Sequence, residues 1–185
     1  MKRNDSLGDI YGLYREFVKL KKLRRRGWYL RGIKNGETVA EHSFAVSALS
    51  LFFSREFPGI DTERVLMMCV LHEFCEIATG DITPADGIPK KEKSALERAA
   101  VKKLFQRLGN GRFFLKIWEE FENGETPESR LAKDIDRLEM AFQAIEYKKK
   151  HSDFGSEEFL KSALKEIKNP ALNAFLKRVI MENGI

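Results

Sequence analysis

Two adjacent ionisable residues, His72 and Glu73, stand inside the most apolar stretch of the chain, Val65 to Ile77. Burying an imidazole beside a carboxylate is costly unless the groups are paired or hold a cation. Glu76 follows His72 at i+4, so on a helix the two project from one face with Glu73 beside them. A single histidine on a helix is most often a satisfied core or surface residue, but three such groups at one spot point to a site. A further imidazole, His42, comes from the earlier segment ETVAEHSF, and two further carboxylates, Asp134 and Asp136, from the later segment AKDIDRLEM. Two imidazoles with two carboxylates form a mixed nitrogen and oxygen donor set suited to first-row divalent ions. Residues i and i+2 of a helix lie about 200° apart, so only one of Asp134 and Asp136 can share the face of Leu131, Ile135, Leu138 and Phe142. The pattern leaves that choice open.

The elements that must position these groups read as helices. Segments with sustained period-two alternation and hairpin turns are lacking, whereas helix signals recur, so the fold class is all-α. Ile10, Leu13, Phe17 and Leu20 mark a first apolar stripe, followed by an irregular stretch broken by Gly27, Gly32 and Gly36. Thr38 with Glu41 is a capping box, which puts His42 in the first turn of a helix running to about Phe57. Asp61 caps a third, central helix carrying the Val65 to Ile77 run, with Gly80 as its stop. A polar loop with Asp81, Pro84, Asp86 and Pro89 precedes a charged helix near 91–108, and a short aromatic helix follows Gly109-Asn110-Gly111. Thr126-Pro127 opens a long helix near 127–150, and Ser156 and Asn169-Pro170 open two more. His151, at the end of the long helix, reads as a capping cation and not as a ligand.

Composition restricts the class further. The chain has 185 residues, 43% of them hydrophobic, enough for one domain with a substantial core. MKRNDSLGDI has no uninterrupted apolar leader, and no window approaches a membrane helix, so a soluble, cytoplasmic protein is expected. Cys69 and Cys75 stand alone in an apolar segment and read as buried free thiols. The net charge of +5 is concentrated in Lys19 to Arg26 and Lys148 to Lys150. Two local clusters do not make a nucleic-acid footprint, so no nucleic-acid partner is expected.

Four ordered motifs carry a resemblance. R-x-G-W (Arg25 to Trp28), T-V-A-E-H-S-F (Thr38 to Phe44), L-H-E-x-x-E-I-x-x-G-D-I-x-P (Leu71 to Pro84) and D-I-D-R-L-E-M-x-x-Q-A-x-E-Y (Asp134 to Tyr147) together resemble the HD-domain (His-Asp) 5′-deoxynucleotidase family of metal-dependent phosphohydrolases. The likeness covers residues from about 10 to 150, within one HD-type helical bundle over 1–185 whose C-terminal helices occupy 156–183. It implies metal ligands His42, His72, Glu73 and Asp136, and it selects Asp136 over Asp134. The chain departs from the family at one ligand, because the pair that names the superfamily is His-Glu here.

The resemblance further implies removal of the phosphate from 2′-deoxynucleoside 5′-monophosphates with a divalent ion: cobalt, manganese or zinc, with magnesium also admitted. Glu76 would position or deprotonate the attacking water, and Asp81 would protonate the departing 5′ oxygen. Arg25 would bind phosphate and Trp28 would wall the sugar, rejecting a 2′-hydroxyl by shape. Similar proteins form homodimers. Two other readings compete: an HD-type phosphodiesterase or pyrophosphohydrolase acting on another nucleotide, and a non-catalytic relative binding nucleotide or nucleic acid through Lys19 to Arg26.

Overall fold

A computed structural model describes residues 6–185; part of the leader expectation falls on residues 1–5, outside the described residues. The helices are α1 (Ser6–Phe17), α2 (Arg26–Tyr29), α3 (Val39–Phe53), α4 (Thr62–Leu71), α5 (Glu76–Thr79), α6 (Lys90–Phe105), α7 (Gly111–Asn123), α8 (Pro127–Lys150), α9 (Glu157–Glu166) and α10 (Pro170–Glu182). Among the described residues there is no β-strand, only one antiparallel bridge between Arg24 and Thr38. The all-α reading holds.

Side-chain caps set the starts of α3, α4, α8 and α10. The Thr38 hydroxyl accepts from the Glu41 N–H while the Glu41 carboxylate accepts from the Thr38 N–H, the reciprocal pair expected of that motif. Asp61 accepts from the Arg64 N–H, Thr126 from the Ser129 N–H, and Asn169 from those of Ala171 and Leu172. Ser156 precedes α9 but makes no cap hydrogen bond, and among the described residues its buried hydroxyl has no hydrogen-bond partner. Gly111 opens α7 where a turn was expected. A Cβ there would lie 1.8 Å from the Phe105 carbonyl oxygen, so only glycine allows α7 to fold back on α6.

Helices α3, α4 and α8 pack on one another, with α7 against α4 and α8, and with α9 and α10 against α8. Leu131, Ile135, Leu138, Ala141 and Ile145 recur every three or four residues along α8 and supply its buried stripe. Val46 of α3, Met68 and Cys69 of α4, and Trp118 of α7 complete the centre of the core. The first apolar stripe is only partly used. Ile10 is exposed, and α1 gives way to a 3₁₀ turn, Val18–Lys21, that buries Leu20.

The central helix is not continuous. It ends at Leu71, passes through a 3₁₀ turn at His72–Cys75, and resumes as α5 up to Gly80. Side chains explain the break. The His72 carbonyl accepts from Trp118 Nε1 at 3.2 Å, and the Cys69 carbonyl accepts from His72 Nδ1 at 2.7 Å. With the His72 carbonyl engaged, the Glu76 N–H turns to Glu73, three residues back. The interruption falls on the residues with the chemistry.

Candidate metal centre

His42 enters from the first turn of α3, His72 and Glu73 from the 3₁₀ turn after α4, and Asp136 from the middle of α8. The segment before α3 adds Arg25. Backbone bonds from Arg25 N–H to the Glu37 carbonyl (3.0 Å) and from Val39 N–H to the Leu23 carbonyl (2.8 Å) pin residues 23–25 against the entry to α3.

Both histidine rings are buried, and the two Nε2 atoms face each other at 3.3 Å. Asp136 Oδ1 stands 3.1 Å from His42 Nε2 and 3.9 Å from His72 Nε2, while Glu73 Oε1 stands 3.6 Å and 3.4 Å from the same two atoms. The opposite nitrogens are already engaged. His72 Nδ1 meets the Cys69 carbonyl at 2.7 Å, and His42 Nδ1 meets Glu139 Oε2 at 2.6 Å. A carbonyl and a carboxylate only accept, so each Nδ1 carries a proton and each Nε2 turns inward, where a neutral ring offers its lone pair. With neutral rings, two lone pairs and two carboxylate oxygens converge there. Acceptors alone repel; a cation among them converts the repulsion to attraction. His42, His72 and Glu73 place their ligand atoms within 4.8 Å of one another. This donor set fits a divalent metal ion.

The electrostatics agree. Burial and Arg25 push the His42 imidazole down, but the hydrogen bonds to Asp136 and Glu139 prevail and raise it to about 9. A proton thus satisfies the field that a metal ion would satisfy more fully. Burial would raise the Asp136 carboxyl, yet His42, Arg137 and His72 hold it well below the usual carboxylate range. The Glu73 carboxyl is lowered in the same way, with His72, Arg25 and His42 outweighing burial. Glu76 is the opposite case: burial together with the Glu73 and Asp81 charges raises it to about 10, and its buried Oε2 has no hydrogen-bond partner among the described residues.

The other expected residues divide. Arg25 Nη1 donates to Glu73 Oε1 at 2.9 Å, so the phosphate-binding candidate is fastened to a ligand candidate. Burial opposes the charge on this guanidinium, but Glu73, Asp136, Asp81 and Glu37 hold it above its ordinary value. Asp81 Oδ2 accepts from the Arg26 N–H just beyond Gly80. Trp28 departs from expectation. Its ring is 1% exposed, packed against Tyr147, Phe154 and Phe159, and its Nε1 donates to Glu37 Oε1 at 2.9 Å. Because it is a core residue it cannot wall a sugar. Asp134 also lies away from the histidines, accepting from the Lys168 and Asn169 N–H groups at 2.9 Å and 2.8 Å. His151 is exposed at the C-cap of α8.

Two residues were not singled out from the sequence. Glu139 backs His42, and its place three residues after Asp136 on one helical face was the available signal. Glu37 receives Trp28, lies near Arg25, and through its backbone N–H holds the Tyr147 hydroxyl at 2.7 Å. Burial first, and then the Glu139 charge, raise its carboxyl to about 7.

Comparison with known proteins adds independent findings. The sequence profile of the HD domain matches residues 17–175. The chain is 33% identical over 169 residues to the 5′-deoxynucleotidase HDDC2 of Danio rerio, covering 90% of this chain and 84% of that one. It is 34% identical over 173 residues to the 5′-deoxynucleotidase hdd1 of Schizosaccharomyces pombe, with 89% and 85% covered. Among solved structures, a conserved hypothetical protein from Pyrococcus furiosus superposes with a TM-score of 0.78 at 28% identity, over 94% of this chain and 98% of that one.

Proposed function

This chain belongs to the HD domain family, and on that premise we propose that it is a metal-dependent phosphohydrolase releasing phosphate from 2′-deoxynucleoside 5′-monophosphates. The observation that carries the reading is the convergence of His42 Nε2 and His72 Nε2 with Asp136 and Glu73, a donor set that suits a divalent cation. The relatives named 5′-deoxynucleotidase supply the substrate class.

His42, His72, Glu73 and Asp136 would hold the ion, and their donor chemistry suits manganese, cobalt or zinc, with magnesium also admitted. When bound, such an ion supplies a Lewis acid that stabilises charge on phosphoryl oxygens and lowers the pKa of water at the site. Glu76 would position the attacking water and take its proton; positive charge at the centre would draw this raised carboxyl back toward the ionised form. Arg25 offers guanidinium donors to the phosphate beyond the one spent on Glu73. Asp81 would deliver a proton to the departing 5′ oxygen. Trp28 acts only through Glu37, as a support of the segment that carries Arg25.

The whole chain, 1–185, works in this reading as one cytoplasmic domain. The exposed apolar residues Phe44, Leu51 and Phe52 on α3 favour pairing with a second copy. Among the described residues no helix is long and apolar enough to cross a membrane. Arg25 and Arg26 of the basic run are paired with Glu73 and Asp86, which weakens its case as a nucleic-acid surface.

Elemental analysis of gently purified protein, followed by phosphate release from dAMP, AMP and a 3′-phosphate, tests the proposal. About one transition ion per chain is expected, lost in His72→Ala, with dAMP preferred. Metal-free protein with the four residues intact, or equal rates on dAMP and AMP, would overturn it.

A further inference from the structure

Beside the metal centre, on the far side of the segment that carries Arg25, lies an open cleft of about 750 Å³. Its lining includes Arg24, Arg26, Tyr29, Asp81, Ile88 and Leu96. Arg25 is in extended backbone, where neighbouring side chains point to opposite sides, so Arg25 faces Glu73 while Arg24 and Arg26 face the cleft. The segment is therefore a partition, and Asp81 stands at its edge: it lines the cleft, binds the Arg26 N–H, and its charge is felt by both Arg25 and Glu76.

The cleft walls have an unusual exposure pattern. Trp28 turns into the core, whereas Tyr29, its neighbour, is 62% exposed. Leu96 of α6 is exposed and also lines the cleft. Each charged side chain of the lining has a hydrogen-bond partner, and Asp81 accepts from the Arg26 N–H. Arg26 pairs with Asp86, and Arg24 donates to the Gly36 carbonyl. What is left is an aromatic face and aliphatic side chains, a surface for a flat, weakly polar ring, of a size usual for small-ligand sites.

We propose that this cleft receives the nucleobase of the substrate, with Tyr29 as its stacking platform and Leu96 as part of its apolar lining. The proposal rests on the phosphohydrolase reading above and fixes the orientation of the substrate: phosphate among the histidines and Arg25, sugar over Asp81, base in the cleft. Stacking on an aromatic side chain adds binding that a base-free substrate cannot gain.

The metal-loaded protein is assayed with dAMP and with 2-deoxyribose 5-phosphate, which has the same phosphate and sugar but no base. Tyr29→Ala is expected to lower the ratio of kcat/KM for dAMP over that for the base-free compound by about tenfold, within the range of one stacked base. Tyr29→Phe should restore the ratio and Leu96→Asp should lower it. In parallel, deoxyadenosine alone is titrated into wild type and Tyr29→Ala by calorimetry, which needs no turnover. Hydrolysis of both compounds with an unchanged ratio in Tyr29→Ala would overturn the cleft assignment and leave the phosphohydrolase standing. Tyr29-dependent binding of deoxyadenosine without hydrolysis of either compound would support the cleft and overturn the phosphohydrolase. Neither hydrolysis nor Tyr29-dependent binding would overturn both.

Discussion

Replacing Glu139 by glutamine measures how much the carboxylate behind His42 contributes to the metal centre. The Nδ1 to Oε2 separation of 2.6 Å is as short as a charge-assisted bond, and both groups are buried. Glutamine keeps the chain length and offers a carbonyl oxygen to the same N–H, so the substitution removes charge while preserving the hydrogen bond and the ring orientation. Partners of this kind alter metal affinity by about 10–100-fold, or about 1.4–2.8 kcal/mol. His72 is an internal reference, since it is already backed by a neutral carbonyl, that of Cys69. Glu139→Gln makes His42 resemble His72, which places the expected loss near the lower end, about tenfold. Glu139→Ala is harsher: it strands a buried N–H and should add about 1–3 kcal/mol of instability. Calorimetric metal titration of the three proteins, with thermal unfolding of their metal-free forms alongside, separates the two effects. A glutamine variant that binds metal within about twofold of wild type would refute the reasoning.

Glu73→Asp withdraws the carboxylate by one carbon–carbon bond, about 1.5 Å, from an oxygen that serves Arg25 at 2.9 Å and both imidazoles. It should keep metal with altered ion preference while Glu73→Ala loses it; full occupancy in Glu73→Ala, read by elemental analysis, would count against ligation. Glu76→Ala should retain the ion and lose about 10²–10⁴ in kcat, and full activity would remove Glu76 from the mechanism. Metal-free protein should lose stability as pH rises. Glu76 is raised from 4.5 to about 10 and His42 from 6.5 to about 9, so across pH 6.5–9 the folded chain holds protons that the unfolded chain releases. Melting temperatures in chelator that stay flat or climb over that window would contradict these environments, and Glu76→Gln should flatten the slope. Trp28→Ala should cost about 3–5 kcal/mol as a core truncation, read by denaturant unfolding. A variant of unchanged stability but altered dAMP over AMP preference would return Trp28 to the sugar.

Much of this protein was determined by the sequence alone because the causes are local. Caps at Thr38, Asp61, Thr126 and Asn169 act over three residues or fewer, and the apolar spacing of α8 reports its buried face directly. The ordered motifs named the family and the four residues from three segments that the bundle does bring together. Tertiary structure decided what depends on groups distant along the chain. Glu139 meets His42 across 97 residues, and no spacing rule spans that gap. Trp118 takes the His72 carbonyl and breaks the central helix, although propensity alone favours continuity there. Trp28 and Asp134 show the same limit. Their types suit a site, but a ring that fills the core and a carboxylate that caps the turn before α10 are already committed, and the direction of a side chain is set by what packs against it.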